Sequence, residues 1–165
     1  MADYDLIVRN AKIVTAERQS EGDIAVKDGV IAAVGKVSGD AAREIDAGGK
    51  FVLPGGIDSH VHVAQKSGMG IMCADDFYTG TRSAVYGGTT TIIPFAAQHR
   101  GMSLRKVVQD YHEAATLKAV IDYAFHLIIT DPTPQALGQD LPALIKDGYT
   151  SFKIYMTYDL SLIHI

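Results

Sequence analysis

The sequence predicts an α/β protein, a small β-rich unit followed by the first half, about four βα units, of a parallel (β/α)8 barrel. Three observations carry this. Residues 4 to 53 read as short strands broken by turn signals. Strand-like and helix-like runs then alternate, with a new strand every 30 residues or so, as a parallel βα layout requires. Three of the four later strands also put polar and apolar side chains on opposite faces.

In the first unit the strands are "DLIVRNAKIVT", "GDIAVKDGVIAAVG" and "REIDAGGKFVLP", with turns at Asp28-Gly29 and Gly48-Gly49. The run "LPGG", Leu53 to Gly56, separates this unit, residues 1–53, from a different pattern over residues 54–165. There, strand-like runs start near Ile57, Thr89, Val120 and Thr150. Asp75 or Asp76 caps a helix through "FYTGTRSAVY" that Gly87-Gly88 ends, and Ser103 caps the next. Leu104, Val107, Val108 and Tyr111 form the buried stripe of that second helix. Pro134 and Pro142 each suit a first helical turn, so two short helical pieces are expected there, broken near Gly138.

The parity of the strands decides between barrel and open sheet. Asp58, His60 and His62 share one face of strand one, opposite Ile57, Val61 and Val63. Asp122 and His126 oppose Ile121, Tyr123, Phe125, Leu127 and Ile129 in strand three. Ser151, Lys153 and Tyr155 oppose Phe152, Ile154 and Met156 in strand four. A sheet covered by helices on one side only buries the apolar set beneath them and turns the polar set into a barrel interior. A doubly wound sheet buries both faces, and no glycine-rich phosphate fingerprint follows the first strand. Eight βα units usually take about 250 residues. The run after residue 53 has room for about four, and "DLSLIHI" has no turn or cap logic, so a shortened chain, inactive on its own, is expected.

A chain of 165 residues with 47% hydrophobic and 21% charged residues has the composition of a globular protein. Its net charge of −4 and lack of any Lys/Arg cluster argue against nucleic acid as a partner. A single cysteine, Cys73, excludes an intrachain disulfide. The acidic start "MADYDLIVRN" is unlike a signal peptide, and no run reaches membrane-spanning length. A cytoplasmic location is expected.

"GIDSHVHVAQ" holds the chemistry. His60 and His62, spaced i, i+2 at the end of a barrel strand, point the same way and lie where barrel enzymes keep their reactive groups. Two neutral imidazoles suit zinc, manganese or iron, and Asp58 is a candidate to orient them. The bland alternative for an isolated His-x-His is a pair of polar strand residues.

Three stretches, "VLPGGIDSHVHVAQ", "ADDFYTGTRSAVYGGTTTIIPF" and "GYTSFKIYMTY", closely resemble the cyclic amidohydrolases, and within them the dihydropyrimidinase and hydantoinase group. The resemblance implies a metal-dependent (β/α)8 barrel, with residues 1–53 forming part of a composite β-sandwich. It implies two divalent metal ions, most often Zn2+, with His60 and His62 as ligands of one and Lys153, carbamylated by CO2, bridging both. As an ammonium that lysine would repel a cation; as a carbamate it is an anion with two oxygens. Tyr158 matches the tyrosine that supports the substrate carbonyl oxygen, and Tyr155 is expected in the substrate pocket. The implied reaction is hydrolytic opening of a small cyclic amide or imide, giving an N-carbamoyl amino acid from a dihydropyrimidine or hydantoin ring. Further histidine ligands and a catalytic aspartate belong to later strands of the family. His99, His112, His126 and His164 match none of these motifs. A homotetramer is implied for the full-length protein, with no nucleic acid or membrane partner.

Ala64 and Gln65 follow the histidine pair where dihydroorotases carry a carboxylate-gripping arginine. A neutral ring is therefore favoured, with imide or allantoin-like rings as alternatives. A competing class is the non-catalytic dihydropyrimidinase-like assembly protein. Retention of His60, His62 and Lys153 speaks against it.

Overall fold

Asp28 and Gly29 both take positive φ, 51° and 75°, the backbone of a two-residue turn whose twist matches that of its flanking strands. They join β2 (Gln19–Lys27) to β3 (Val30–Gly35) in the hairpin that "VKDGVI" predicts. The computed structural model describes residues 2–67 and 69–156, which divide into two units, Met1–Pro54 and Gly55–Ile165.

The first unit is one mixed sheet. β1 (Tyr4–Val14) pairs antiparallel with β2 and parallel with both β4 (Ala41–Asp46) and β5 (Phe51–Val52). Its register shifts between Val8 and Ala11, where Asn10 takes a φ of 55°. This bulge bends β1 and separates two small apolar clusters, Ile7–Ala25–Val37 and Ala11–Ile13–Ala47. Polar side chains pin the bend. Asp23 Oδ1 accepts from the Asn10 N–H at 3.1 Å, and Arg9 pairs with Asp23 at 3.2 Å and Glu44 at 2.8 Å.

In the second unit all pairing between named strands is parallel. β6 (Gly56–Val61) lies beside β7 (Thr89–Ala97), followed by β9 (His126–Ile128) and β10 (Phe152–Lys153), while β8 (Asp122–Tyr123) pairs with β7 ahead of β9. The third predicted strand is thus two short pieces. Gly55 explains part of the "PGG" motif, since a Cβ there would lie 2.0 Å from Thr90 Oγ1. Only glycine lets the chain enter β6 so close to β7.

Helices cover one face. α1 (Phe77–Tyr86) starts in a capping box, with Asp76 accepting from the Thr79 N–H and the Thr79 hydroxyl accepting from the Asp76 N–H. α2 (Leu104–Ala115) is capped by Ser103, and its predicted stripe is buried at Leu104, Val107 and Val108, with Tyr111 packed against the same cluster. Phe125, Leu127 and Ile129 meet these helices from the sheet.

The expected break near Gly138 is not found. A π-helical turn over Ala136–Asp140 runs directly into α3 (Leu141–Lys146), and the Leu141 N–H reaches the Ala136 carbonyl. Pro142 has no N–H for Gly138, and its ring would crowd that carbonyl in an α-helix. Widening the turn relieves both problems without ending the helix. Buried Asp140 in this turn accepts from the Leu104 N–H at 3.0 Å, tying the turn to the start of α2.

The loops at the C-terminal ends of β7 and β9 are held by Gln98, which is 2% exposed. Its Oε1 accepts from the Thr130 and Asp131 N–H groups, both at 3.0 Å, and its Nε2 donates to the Met102 carbonyl at 2.9 Å. No described helix is long and apolar enough to cross a membrane.

Candidate active site

Phe95 is the centre of the uncovered sheet face. It is 5% exposed and forms an apolar floor with Ala97 and Ile128, against which Tyr155 packs. The nitrogen-bearing side chains of three strands gather around its ring. His62 stacks on it with centroids 5.0 Å apart and planes 20° apart, and His60 approaches edge-on at 4.7 Å. His126 lies 5.0 Å away, and the Lys153 ammonium lies 4.4 Å from the ring centre.

Strand pairing produces this convergence. Val61 is in register with Pro94, Phe95 with His126, and Ile128 with Lys153. Alternation along each strand then turns His60, Phe95, His126 and Lys153 to one side. Sequence parity anticipates this face for strands one, three and four. Phe95 is missed because "TTTIIPFAA" has no polar alternation to read. A hollow of about 490 Å3 opens over the face, lined by Ser59, His60, Phe95, His126, Ser151 and Lys153.

The two imidazole rings are 5.5 Å apart and 70° from coplanar. His62 Nδ1 contacts Gln65 Oε1 at 2.5 Å. A carbonyl oxygen only accepts, so Nδ1 carries a proton, and in the neutral ring Nε2 is the nitrogen with the lone pair that a metal can take. Asp58 does not orient a ring. Its Oδ1 accepts from the His60 backbone N–H at 3.1 Å and so holds the main chain that leads into His60. Gln65 serves the ring instead, a local partner that the sequence gives no reason to prefer over Asp58.

This donor set suits a divalent cation. Two imidazoles supply neutral nitrogen, and no group of three or more His, Cys, Asp and Glu side chains close enough to hold a metal exists among the described residues. Lys153 stands on the same floor as both rings. The Tyr155 ring lies 5.4 Å from the Lys153 ammonium, facing the hollow's side of the sheet. Tyr158 and His164 lie outside the described residues.

The other histidines separate cleanly. His112 sits on the helix-covered face between the phenols of Tyr123 and Tyr149, at 3.4 and 2.5 Å. Burial pushes the Tyr149 phenol up, so it keeps its proton beside His112 Nε2. The His99 carbonyl accepts from the Met102 N–H at 3.1 Å, a turn contact, while its side chain lines a separate cavity of about 220 Å3 with Lys66 and Tyr111.

Known proteins share both the sequence and the fold. The pattern of the amidohydrolase family matches residues 51–153. A D-hydantoinase of Rhizobium radiobacter is 46% identical over 154 residues, which are 93% of this chain and 33% of the relative. A solved D-hydantoinase structure superposes with a TM-score of 0.89 at 44% identity, covering 94% of this chain and 34% of that one. The dihydropyrimidinase of Brevibacillus agri NCHU1002 gives 0.86 at 38% identity, covering 93% and 33%. The chain therefore spans about a third of the length of these relatives, and its second unit is the first part of the barrel that they share. With the family pattern running through the strands that bear His60, His62 and Lys153, the chain belongs to the amidohydrolase family.

Proposed function

We propose that the full-length protein containing this chain is a metal-dependent hydrolase that opens dihydropyrimidine or hydantoin rings to N-carbamoyl amino acids. The observation that carries the reading is the gathering of His60, His62 and Lys153 around Phe95 at the C-terminal ends of parallel strands. Relatives named D-hydantoinase and dihydropyrimidinase support the choice of ring.

Each residue has a task. His62 offers Nε2 because Gln65 holds the opposite nitrogen as a donor, and Asp58 holds the main chain that leads into His60. The neutral Lys153 amine attacks CO2, forming an N–C bond and releasing one proton to solvent. The product is a carbamate, an anion whose two oxygens would hold cations together with the imidazoles. Phe95 keeps water away beneath these donors. A pair of divalent cations, with zinc the proposed metal, supplies Lewis acidity for water and the ring carbonyl when bound. Tyr155 lines the ring pocket, and Tyr158 donates to the carbonyl oxygen as it gains negative charge. Residues 1–53 are part of a composite sandwich and residues 54–165 the first half of the barrel, in a cytoplasmic homotetramer.

The test is ring hydrolysis by zinc-loaded full-length protein offered dihydrouracil, hydantoin, a cyclic imide, allantoin and dihydroorotate. Opening of the first two, with dihydroorotate untouched, is expected because Ala64 and Gln65 stand where a carboxylate-gripping arginine would be. Protein that binds no metal and opens no ring is the outcome expected of the non-catalytic assembly class.

A further inference from the structure

His126 has no part in the chemistry just described, yet its imidazole is held at both nitrogens. Nε2 lies 2.8 Å from the Ser59 carbonyl oxygen, and Nδ1 lies 2.5 Å from Ser151 Oγ. The carbonyl only accepts, so Nε2 carries the proton; in the neutral ring Nδ1 then accepts from the Ser151 hydroxyl.

Both partners adjoin proposed metal ligands. Ser59 precedes His60, and Ser151 lies two residues before Lys153 on the same strand face. The bond to Ser59 also joins strands that are not neighbours, because β7 lies between β6 and β9. It crosses beside the Phe95 ring, which is in register with His126. The β6–β7 pairing is irregular between Asp58 and Val61, next to Pro94, which has no N–H to give. The Ser59 carbonyl takes its hydrogen from the imidazole there.

We propose that His126 is a positioning residue, a clamp that sets the spacing between the strand bearing His60 and His62 and the strand bearing Lys153. The link from clamp to metal rests on the hydrolase reading above; the clamp itself does not.

Full-length wild type, His126→Ala and His126→Gln test it by zinc affinity against a chromophoric chelator, alongside the imidazole 15N spectrum of the metal-free wild type. Glutamine keeps a donor at the Nε2 position. His126→Ala should lose about 10- to 100-fold in zinc affinity, the range for groups that orient metal ligands, and His126→Gln should regain most of it. Wild-type affinity in His126→Ala, or Gln no better than Ala, overturns the proposal. If His126→Ala does not fold, Ser151→Ala, which removes only the second hydrogen bond, should weaken zinc binding in its place, and an unchanged affinity counts against the clamp. A wild type that binds no zinc sinks the hydrolase reading alone. The spectrum then decides the clamp, with a slowly exchanging Nε2–H supporting it and an Nδ1–H tautomer overturning it.

Discussion

The Lys153 ammonium lies 4.4 Å from the centre of the Phe95 ring, so the lysine amine stands over the apolar floor of the sheet face. The negative face of an aromatic ring attracts a cation weakly. The same ring is stacked by His62 and met edge-on by His60.

Phe95→Ala should destabilise the full-length protein by about 3–5 kcal/mol, the cost of emptying a buried aromatic site. Phe95→Leu, which refills most of the volume, should cost far less while still lowering zinc affinity, because no flat ring remains to stack His62. Denaturant melts and chelator competition on the two variants separate these effects. Equal zinc affinity in Phe95→Leu and wild type would remove Phe95 from the site's architecture.

Gln65→Leu frees His62 to adopt either tautomer and rotate. Zinc affinity should fall about tenfold, at the low end for a group behind a metal ligand, with little change in melting temperature. Gln65→Glu should retain affinity, since a carboxylate accepts from Nδ1 at least as well. Isothermal titration with zinc checks both.

Much of this site is legible in sequence because strands alternate strictly. His60 and His62, and Ser151, Lys153 and Tyr155, are sorted to the inner face by parity alone. Capping by Asp76 and Ser103 is equally local and equally readable. Three features are not. Phe95 sits in a strand apolar on both faces, where parity carries no signal. His126 finds its role in a backbone carbonyl 67 residues away, and a main-chain acceptor has no sequence signature. The π-turn before α3 arises because Pro142 reshapes the helix through an absent N–H, whereas the residue that looks like the breaker, Gly138, is accommodated within it.

The first unit should lose stability in acid. The Asn10 N–H, and then Arg9, hold the Asp23 carboxyl below its ordinary range, and Arg9 does the same for Glu44. A depressed folded pKa adds stability that is complete above the unfolded value, about 3.9 for Asp and 4.3 for Glu, and that disappears as pH falls through the folded value. Melting temperature should therefore drop as pH falls from about 5 towards 2. Arg9→Met should flatten this slope while lowering stability at every pH, since Arg9 also donates to the Val37 carbonyl at 2.8 Å. An unchanged slope in Arg9→Met would show that these pairs do not govern the acid response.

Metal content, with and without Lys153, tests the central claim most directly. Full-length protein loaded with zinc and bicarbonate, then desalted, should carry about two metal ions per chain and show a carbamate carbon by 13C NMR. Lys153→Ala should lose both the carbamate signal and at least one metal while remaining folded. Two metals retained by Lys153→Ala, or a wild type whose Lys153 stays an unmodified amine at saturating zinc, would contradict the account.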